Sequence, residues 1–242
     1  MAEYLYGKNT ALQRLKKGSD VEGIFLQEAT KQDEIIRLAK QKDIPVVFKN
    51  KAFMNKLVDG NHQGVILQVK EYQTYSLEEI IEAAKQKQYP VLILCDQLED
   101  PHNLGAILRT ADAVGADGVL VGKHRSVSLN GTVAKVSTGA IDTVKVGVVT
   151  NLVSTLNVLK EQGFWVVGTD NNERAIEYTD LKCDVPLVVV VGSEGKGISR
   201  LVKESCDVMV RIPMAGAVTS LNVSVAAAVI LYEIVRQRKA IG

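Results

Sequence analysis

Residues 207–236 read Asp-Val-Met-Val-Arg-Ile-Pro-Met-Ala-Gly-Ala-Val-Thr-Ser-Leu-Asn-Val-Ser-Val-Ala-Ala-Ala-Val-Ile-Leu-Tyr-Glu-Ile-Val-Arg. Val208 to Ile212 is a short apolar run closed by Pro213, which cannot continue a ladder, so it predicts a buried strand. Small residues follow from Met214 to Val218, and Thr219 or Ser220 is placed to cap a helix from Leu221 to Val235. Leu221, Val225, Ala228, Tyr232 and Val235 fall on one face of that helix, and Val223, Ala227, Ile230 and Ile234 on another. A helix apolar on two sides is buried on two sides. One side takes the sheet of its own domain and the other calls for a second body. Ser220, Asn222 and Ser224 crowd its first turn, as a site would require and as capping with a satisfied core serine would equally require.

Working outward, the runs Val91–Asp96, Val119–Val121, Phe164–Thr169 and Leu187–Val191 predict further strands. Leu187-Val-Val-Val-Val191 has the uniform apolarity of a parallel strand covered on both faces. Helices alternate with them. Asp100 caps and Pro101 opens a helix that runs to Val114 and stops at Gly115, and another spans Asn151–Gln162. Ser76-Leu-Glu-Glu79 is a capping box opening a helix to about Gln88. Residues 76–242 therefore read as an α/β domain on a mostly parallel sheet. Residues 1–75 read as a smaller α/β unit, with helices over Asn9–Lys17, Lys31–Lys42 and Lys51–Leu57 and strands over Gly23–Gln27, Pro45–Phe48 and Gln63–Val69.

The composition, 46% hydrophobic and 24% charged with a net charge of +1, is that of a globular protein. Charge clusters only mildly: the first 75 residues hold twelve Lys+Arg against nine Asp+Glu, and residues 123–145 carry Lys123, Arg125, Lys135 and Lys145 against Asp142. Cys95, Cys183 and Cys206 share no metal-like spacing, so neither a zinc site nor a closed disulfide framework is expected. No apolar signal core and no membrane-spanning run is seen, and a cytoplasmic location is expected.

Three stretches could carry chemistry. On the helix after Asp100, His102, Gly105, Arg109 and Asp112 lie opposite the apolar face, and Gly105, costing about 1 kcal/mol against alanine, hints at close packing. Gly192-Ser-Glu-Gly-Lys-Gly197 follows a buried strand at the end where open parallel sheets bind ligands. It is neither a Walker loop nor a dinucleotide fingerprint, and Glu194 would repel phosphate, so a ligand meeting it should be neutral or cationic there. The loop Pro213–Val218 repeats the arrangement of strand end, small residues and helix start.

In their order, Asn103-Leu-Gly-Ala-Ile-Leu-Arg109, Gly192-Ser-Glu-Gly-Lys-Gly197 and Ile212-Pro-Met-Ala-Gly-Ala-Val-Thr-Ser220-Leu-Asn222 resemble the three motifs of the SpoU-type (TrmH-like) RNA ribose 2′-O-methyltransferases. Arg125-Ser126, Asn130 and Ser137-Thr-Gly-Ala140 look like that family's intervening segment. The likeness runs from about residue 89 to 238. The front unit, Tyr6-Gly7-Lys8 through Asn61-His62-Gln63-Gly64-Val65, looks like the RNA-binding domain of the bacterial enzymes that methylate a guanosine of large-subunit ribosomal RNA. That domain resembles kink-turn-binding ribosomal proteins.

The resemblance implies a trefoil-knotted C-terminal domain, against the rule that connections are unknotted. It also implies S-adenosyl-L-methionine as cofactor, a homodimer with the site at its interface, large-subunit ribosomal RNA as substrate, and no metal or membrane. It assigns Asn103, Arg109, Glu194, Ser220 and Asn222 to function, and Thr169, Gly192, Ile212, Met214 and Leu221 to the cofactor. Transfer-RNA guanosine and ribosomal adenosine are alternative targets, and a non-catalytic RNA-binding protein of the same fold is a different class of answer.

Overall fold

The computed structural model describes residues 3–17, 21–28, 30–171 and 174–241. The chain divides into two compact units, Met1–Tyr72 with Asn130–Thr132, and Gln73–Leu129 with Val133–Gly242.

In the first unit the elements are β1 (Glu3–Tyr6), α1 (Lys8–Lys17), β2 (Val21–Gln27), α2 (Asp33–Gln41), β3 (Val46–Lys49), α3 (Lys51–Leu57) and β4 (Val65–Val69). The strands form one sheet in the order β1-β4-β2-β3. β4 runs antiparallel to β1 and β2, and β2 runs parallel to β3. The sequence pattern did not disclose β1, which owes its place to pairing with β4. Ile24, Leu26, Val65 and Leu67 face a core filled by Ala11, Leu15, Ile35 and Ala39 of α1 and α2.

At one end of this sheet two of the quoted stretches meet. The Gly7 N–H donates to Val65 O at 3.1 Å, and the Lys8 N–H to Gln63 Oε1 at 3.1 Å. Both turns need the left-handed region, which Gly7 (φ 98°) and Gly64 (φ 76°) enter without a Cβ penalty. His62 is buried. Its Nδ1 accepts from the Gly64 N–H at 2.9 Å, so its Nε2 carries the proton donated to Asn55 Oδ1 at 2.9 Å.

The second unit carries α4 (Leu77–Ala84), β5 (Val91–Cys95), α5 (Pro101–Val114), β6 (Gly118–Gly122), α7 (Ala140–Thr143) and β7 (Val146–Val149). It continues with α8 (Leu152–Glu161), β8 (Trp165–Thr169), β9 (Ile176–Glu177), β10 (Leu187–Val191), α9 (Arg200–Glu204), β11 (Val208–Arg211) and α10 (Val223–Ile241). A further helix, α6 (Gly131–Ser137), lies between β6 and α7. The seven strands stand in the order β7-β6-β5-β10-β8-β11-β9, and every neighbouring pair is parallel. β5 and β10 are buried at every position because helices cover both faces.

Several local expectations hold. Ser76 and Glu79 form the reciprocal capping box of α4. Asp100 caps α5 through the His102 N–H at 2.9 Å, and Gly115 ends that helix at φ 67°. Two do not. α4 ends at Ala84, short of Gln88. α10 starts at Val223, two residues later than expected, and Asn222, not Thr219 or Ser220, caps it. Asn222 Oδ1 accepts from the Ser224 N–H at 2.9 Å and the Ser224 hydroxyl at 2.6 Å, an amide cap that leaves Ser220 in the loop.

Gly105 is also not on the open face of α5. It is buried, and a Cβ there would stand 2.6 Å from Val136 Cβ of α6, so its missing side chain serves helix packing. On α10, Ala227, Ile230, Leu231 and Ile234 are buried, while Val225 and Tyr232 are 47% and 54% exposed. The helix is closed on one side and open on the other. Among the described residues no helix is long and apolar enough to cross a membrane.

Candidate functional site

The carboxyl ends of β8, β10 and β11 point the same way, because their strands are parallel neighbours. The loops leaving them enclose a cavity of about 280 Å³. All five residues expected to hold a cofactor line it: Thr169 at the end of β8, Gly192 after β10, Ile212 and Met214 after β11, and Leu221 before α10. Glu194 and Ser220 line it as well, with apolar walls from Val210, Val223 and Ile230.

The 192–197 loop is a closed turn. The Ser193 N–H donates to Gly197 O at 3.1 Å and the Gly197 N–H to Ser193 O at 2.9 Å. A Cβ at Gly192 would fall on the backbone of Gly197, so no side chain fits there. Gly195 and Gly197 take positive φ, 78° and 66°.

The three motifs converge on Glu194. Its Oε1 accepts from Asn103 Nδ2 at 3.1 Å and from Asn222 Nδ2 in a shorter bond, while Asn222 Nδ2 also donates to Asn103 Oδ1 at 3.0 Å. Asn103 is 4% exposed although it sits in the first turn of α5, because it faces this cluster. Asn222 Oδ1 is occupied in capping α10, so one side chain ties the helix start to the loop after β10.

Arg109 is not brought to this cluster. Six residues beyond Asn103 means about 9 Å along α5 and about 240° around it, and Arg109 stands exposed, outside the residues that line the cavity. His102 is exposed too.

Asp96, read only as a strand end, is 1% exposed and joins two loops. Its N–H donates to Val191 O at 2.8 Å and its Oδ2 accepts from the Ser199 N–H at 2.6 Å, fixing both ends of the 192–198 segment. A carboxylate at the end of an otherwise apolar strand was its only signal. Asp170 and Asn171 at the cavity edge were likewise missed. Asn171 Nδ2 donates to Thr219 O, and the Asp170 N–H donates to Val210 O at 3.0 Å. Among the described residues no cluster of His, Cys, Asp and Glu could hold a metal ion.

A parallel sheet with glycine-lined loops at its carboxyl edge, a cavity of ligand size and a carboxylate held by two amides defines a small-molecule-binding α/β domain joined to a smaller α/β unit. Residues 90–232 match the SpoU rRNA Methylase family, and residues 4–75 match the RNA 2′-O ribose methyltransferase substrate-binding domain. The chain belongs to the SpoU/TrmH family of RNA methyltransferases.

It is 45% identical over 244 residues to the "Putative TrmH family tRNA/rRNA methyltransferase YacO" of Bacillus subtilis, covering 99% of this chain and 98% of that one. A protein of the same family description from Staphylococcus haemolyticus is 43% identical, with 98% and 97% covered. The fold matches the SpoU methyltransferase AviRb of Streptomyces viridochromogenes solved with the cofactor AdoMet (TM-score 0.64, 23% identity, 99% and 91% covered). It also matches the A. aeolicus TrmH/SpoU tRNA modifying enzyme (TM-score 0.59, 32% identity, 68% and 83% covered).

Proposed function

We propose that this chain transfers a methyl group from S-adenosyl-L-methionine to the ribose 2′-hydroxyl of a guanosine in large-subunit ribosomal RNA, working as a homodimer. The observation that carries this reading is the junction of all three motifs at Glu194, on the rim of a cavity lined by the five expected cofactor residues. The cavity suits that cofactor chemically. Gly192 leaves room for close backbone approach, Val210, Ile212 and Ile230 offer an apolar wall, and the Glu194 carboxylate stands on the rim with Lys196, Asp170 being paired with Lys203. When bound, the cofactor supplies a methyl already activated on a sulfonium, so the protein's work is alignment and handling of one proton.

Glu194, fixed by Asn103 and Asn222, holds the 192–197 loop and the ribose edge in register. Arg109, a guanidinium with five donors and no acceptor, is not the base. Its role is to clamp the phosphate beside the target ribose and to stabilise the developing alkoxide, while a phosphate oxygen or water accepts the proton. Arg109 lies outside its own chain's cavity, and Val225 and Tyr232 leave α10 open on one side. A second copy packed on that face would bring an arginine to each cavity.

By resemblance, the C-terminal domain is threaded as a trefoil knot. The insertion of β10 between β5 and β8 is in keeping with such threading, and an experimental chain trace through residues 187–222 tests it. We assign RNA selection to residues 1–75, where Gly7, Lys8 and the Asn61–Gly64 turn form one edge. Residues 76–242 alone should then bind the cofactor but lose selectivity. Equal methylation of ribosomal RNA by the short and full chains would count against that division.

The experiment for the whole reading is transfer of labelled methyl from S-adenosyl-L-methionine to total RNA, followed by mapping of the 2′-O mark. The mark is expected on a guanosine of large-subunit ribosomal RNA. A mark confined to transfer RNA would replace the target, and no incorporation with no cofactor binding by calorimetry would overturn the enzyme reading.

A further inference from the structure

The 192–197 loop has two sides. The cavity described above lies on one, and a second cleft of about 280 Å³ lies on the other, between that loop and residues 97–103. Ser193, Glu194 and Lys196 belong to both walls. This cleft opens between the carboxyl ends of β5 and β10, adjacent strands from which the chain departs toward opposite edges of the sheet, β6 next to β5 on one side and β11 beyond β8 on the other. Such a switch point is where open α/β sheets receive ligands.

The cleft is built before any ligand arrives. Asp96 joins its two walls at the base through Val191 O and the Ser199 N–H. Leu98 is buried and its carbonyl accepts from the Val127 N–H at 2.7 Å. Gln97 is held at φ 53°, a conformation a non-glycine residue seldom takes, and such strain collects where surrounding structure fixes a site. Asn103, bonded to Glu194, forms the inner end.

We propose that this cleft receives the base of the target nucleotide and selects guanine, an inference that rests on the methyltransferase reading above. Glu99 and Asp100 line it as exposed carboxylates, with Glu194 beyond them. A phosphate placed there would meet three carboxylates against one ammonium, that of Lys196. A carboxylate only accepts hydrogen bonds, and guanine alone presents two adjacent donors, N1–H and the 2-amino group, on its Watson–Crick edge. Adenine and cytosine each turn an acceptor toward the same oxygens, and uracil offers a single donor between two acceptors. Reading the edge of an unstacked base is the usual route to sequence-specific RNA recognition. Seating it against Asn103 and Glu194 would set the attached ribose at the wall shared with the cofactor cavity.

The test uses the full chain, ribosomal RNA from cells lacking the gene, labelled S-adenosyl-L-methionine, and nucleoside analysis of the digested product. Glu99→Gln is exposed and nearly isosteric, so folding is not at stake, yet it replaces an acceptor with a donor. We expect 2′-O-methylguanosine from the wild type. With Glu99→Gln, kcat/KM should fall by about tenfold to a hundredfold, the cost of an unmatched hydrogen-bonding edge, and the share of other methylated nucleosides should rise. The Kd for the cofactor should stay within about twofold, since Glu99 does not line that cavity. Asp100→Asn keeps the helix cap and should act in the same direction. Unchanged rates and product in both variants, or a wild-type product on adenosine, cytidine or uridine, would overturn this inference while leaving the methyltransferase reading intact. Failure of the wild type to bind the cofactor would strike that reading first.

Discussion

Glu194 and Arg109 come from the same set of motifs, yet the fold treats them in opposite ways. Glu194 is clasped by Asn103 and Asn222 within one chain, so this rim of the cavity is fixed without a second copy. Arg109 stands exposed on α5, and the apolar residues Val225 and Tyr232 stand exposed on α10. Under the proposed mechanism a single chain completes the binding pocket and leaves to a second copy the cation proposed for transfer. Binding and catalysis should therefore respond differently to substitution.

The largest expected effect is on Arg109. Replacing it with alanine should slow single-turnover methyl transfer by about a hundredfold to a thousandfold, the usual cost of one preorganised donor, while calorimetry finds cofactor affinity little changed. Arg109→Lys should recover only part of the rate, because an ammonium cannot grip a phosphate bidentately. A near-full rate for the lysine variant would remove the clamp from the account.

Gly192→Ala reverses the pattern. Its Cβ would fall on the Gly197 backbone, and overpacking of about 1–3 kcal/mol should weaken cofactor binding by roughly tenfold to a hundredfold. Unaltered affinity would mean that the loop is not a cradle. Tyr232→Asp, on the open face of α10, should yield a smaller species by light scattering that still binds cofactor but transfers methyl poorly. Asn222→Asp keeps the cap but sets a second carboxylate against Glu194 and an acceptor against the Asn103 carbonyl, so activity should fall about tenfold or more and thermal stability should fall with it.

The smallest effect concerns the thiols. Burial pushes Cys95 up to about 12 and both Cys183 and Cys206 to about 11, from an ordinary value of 9.0. Above about pH 9 the unfolded chain releases these protons and the folded chain retains them, so stability declines as pH rises through that range. Native alkylation at pH 8 should be slow, and prompt labelling of Cys95 would show that its strand opens readily.

The difference between the two regions also marks how far the sequence could be read. Helix α5 was legible from Asp100, Pro101 and Gly115 because capping and termination are local rules, and β10 was legible because five apolar residues in a row leave no solvent face. That Thr169, Gly192, Ile212, Met214 and Leu221 would gather at one cavity was legible through motif order. α6, α7 and β7 were not, since they are short and depend on tertiary partners, as Gly105 against Val136 illustrates. The placement of Asn222 as the cap of α10 escaped because Thr219 and Ser220 offered equally good caps upstream. Asp96 escaped because its partners, Val191 and Ser199, lie about a hundred residues away.

One measurement addresses the shared site directly. Arg109→Ala and Glu194→Gln, each nearly inactive alone, are co-expressed so that mixed dimers form. In a two-fold symmetric dimer whose cavity borrows its arginine from the other copy, half of the dimers are mixed and each of these keeps one intact site, so the preparation should regain about a quarter of wild-type transfer. Activity no greater than that of the two parent variants would mean that Arg109 serves its own chain's cavity or none, and the division between a finished pocket and a borrowed cation would be wrong.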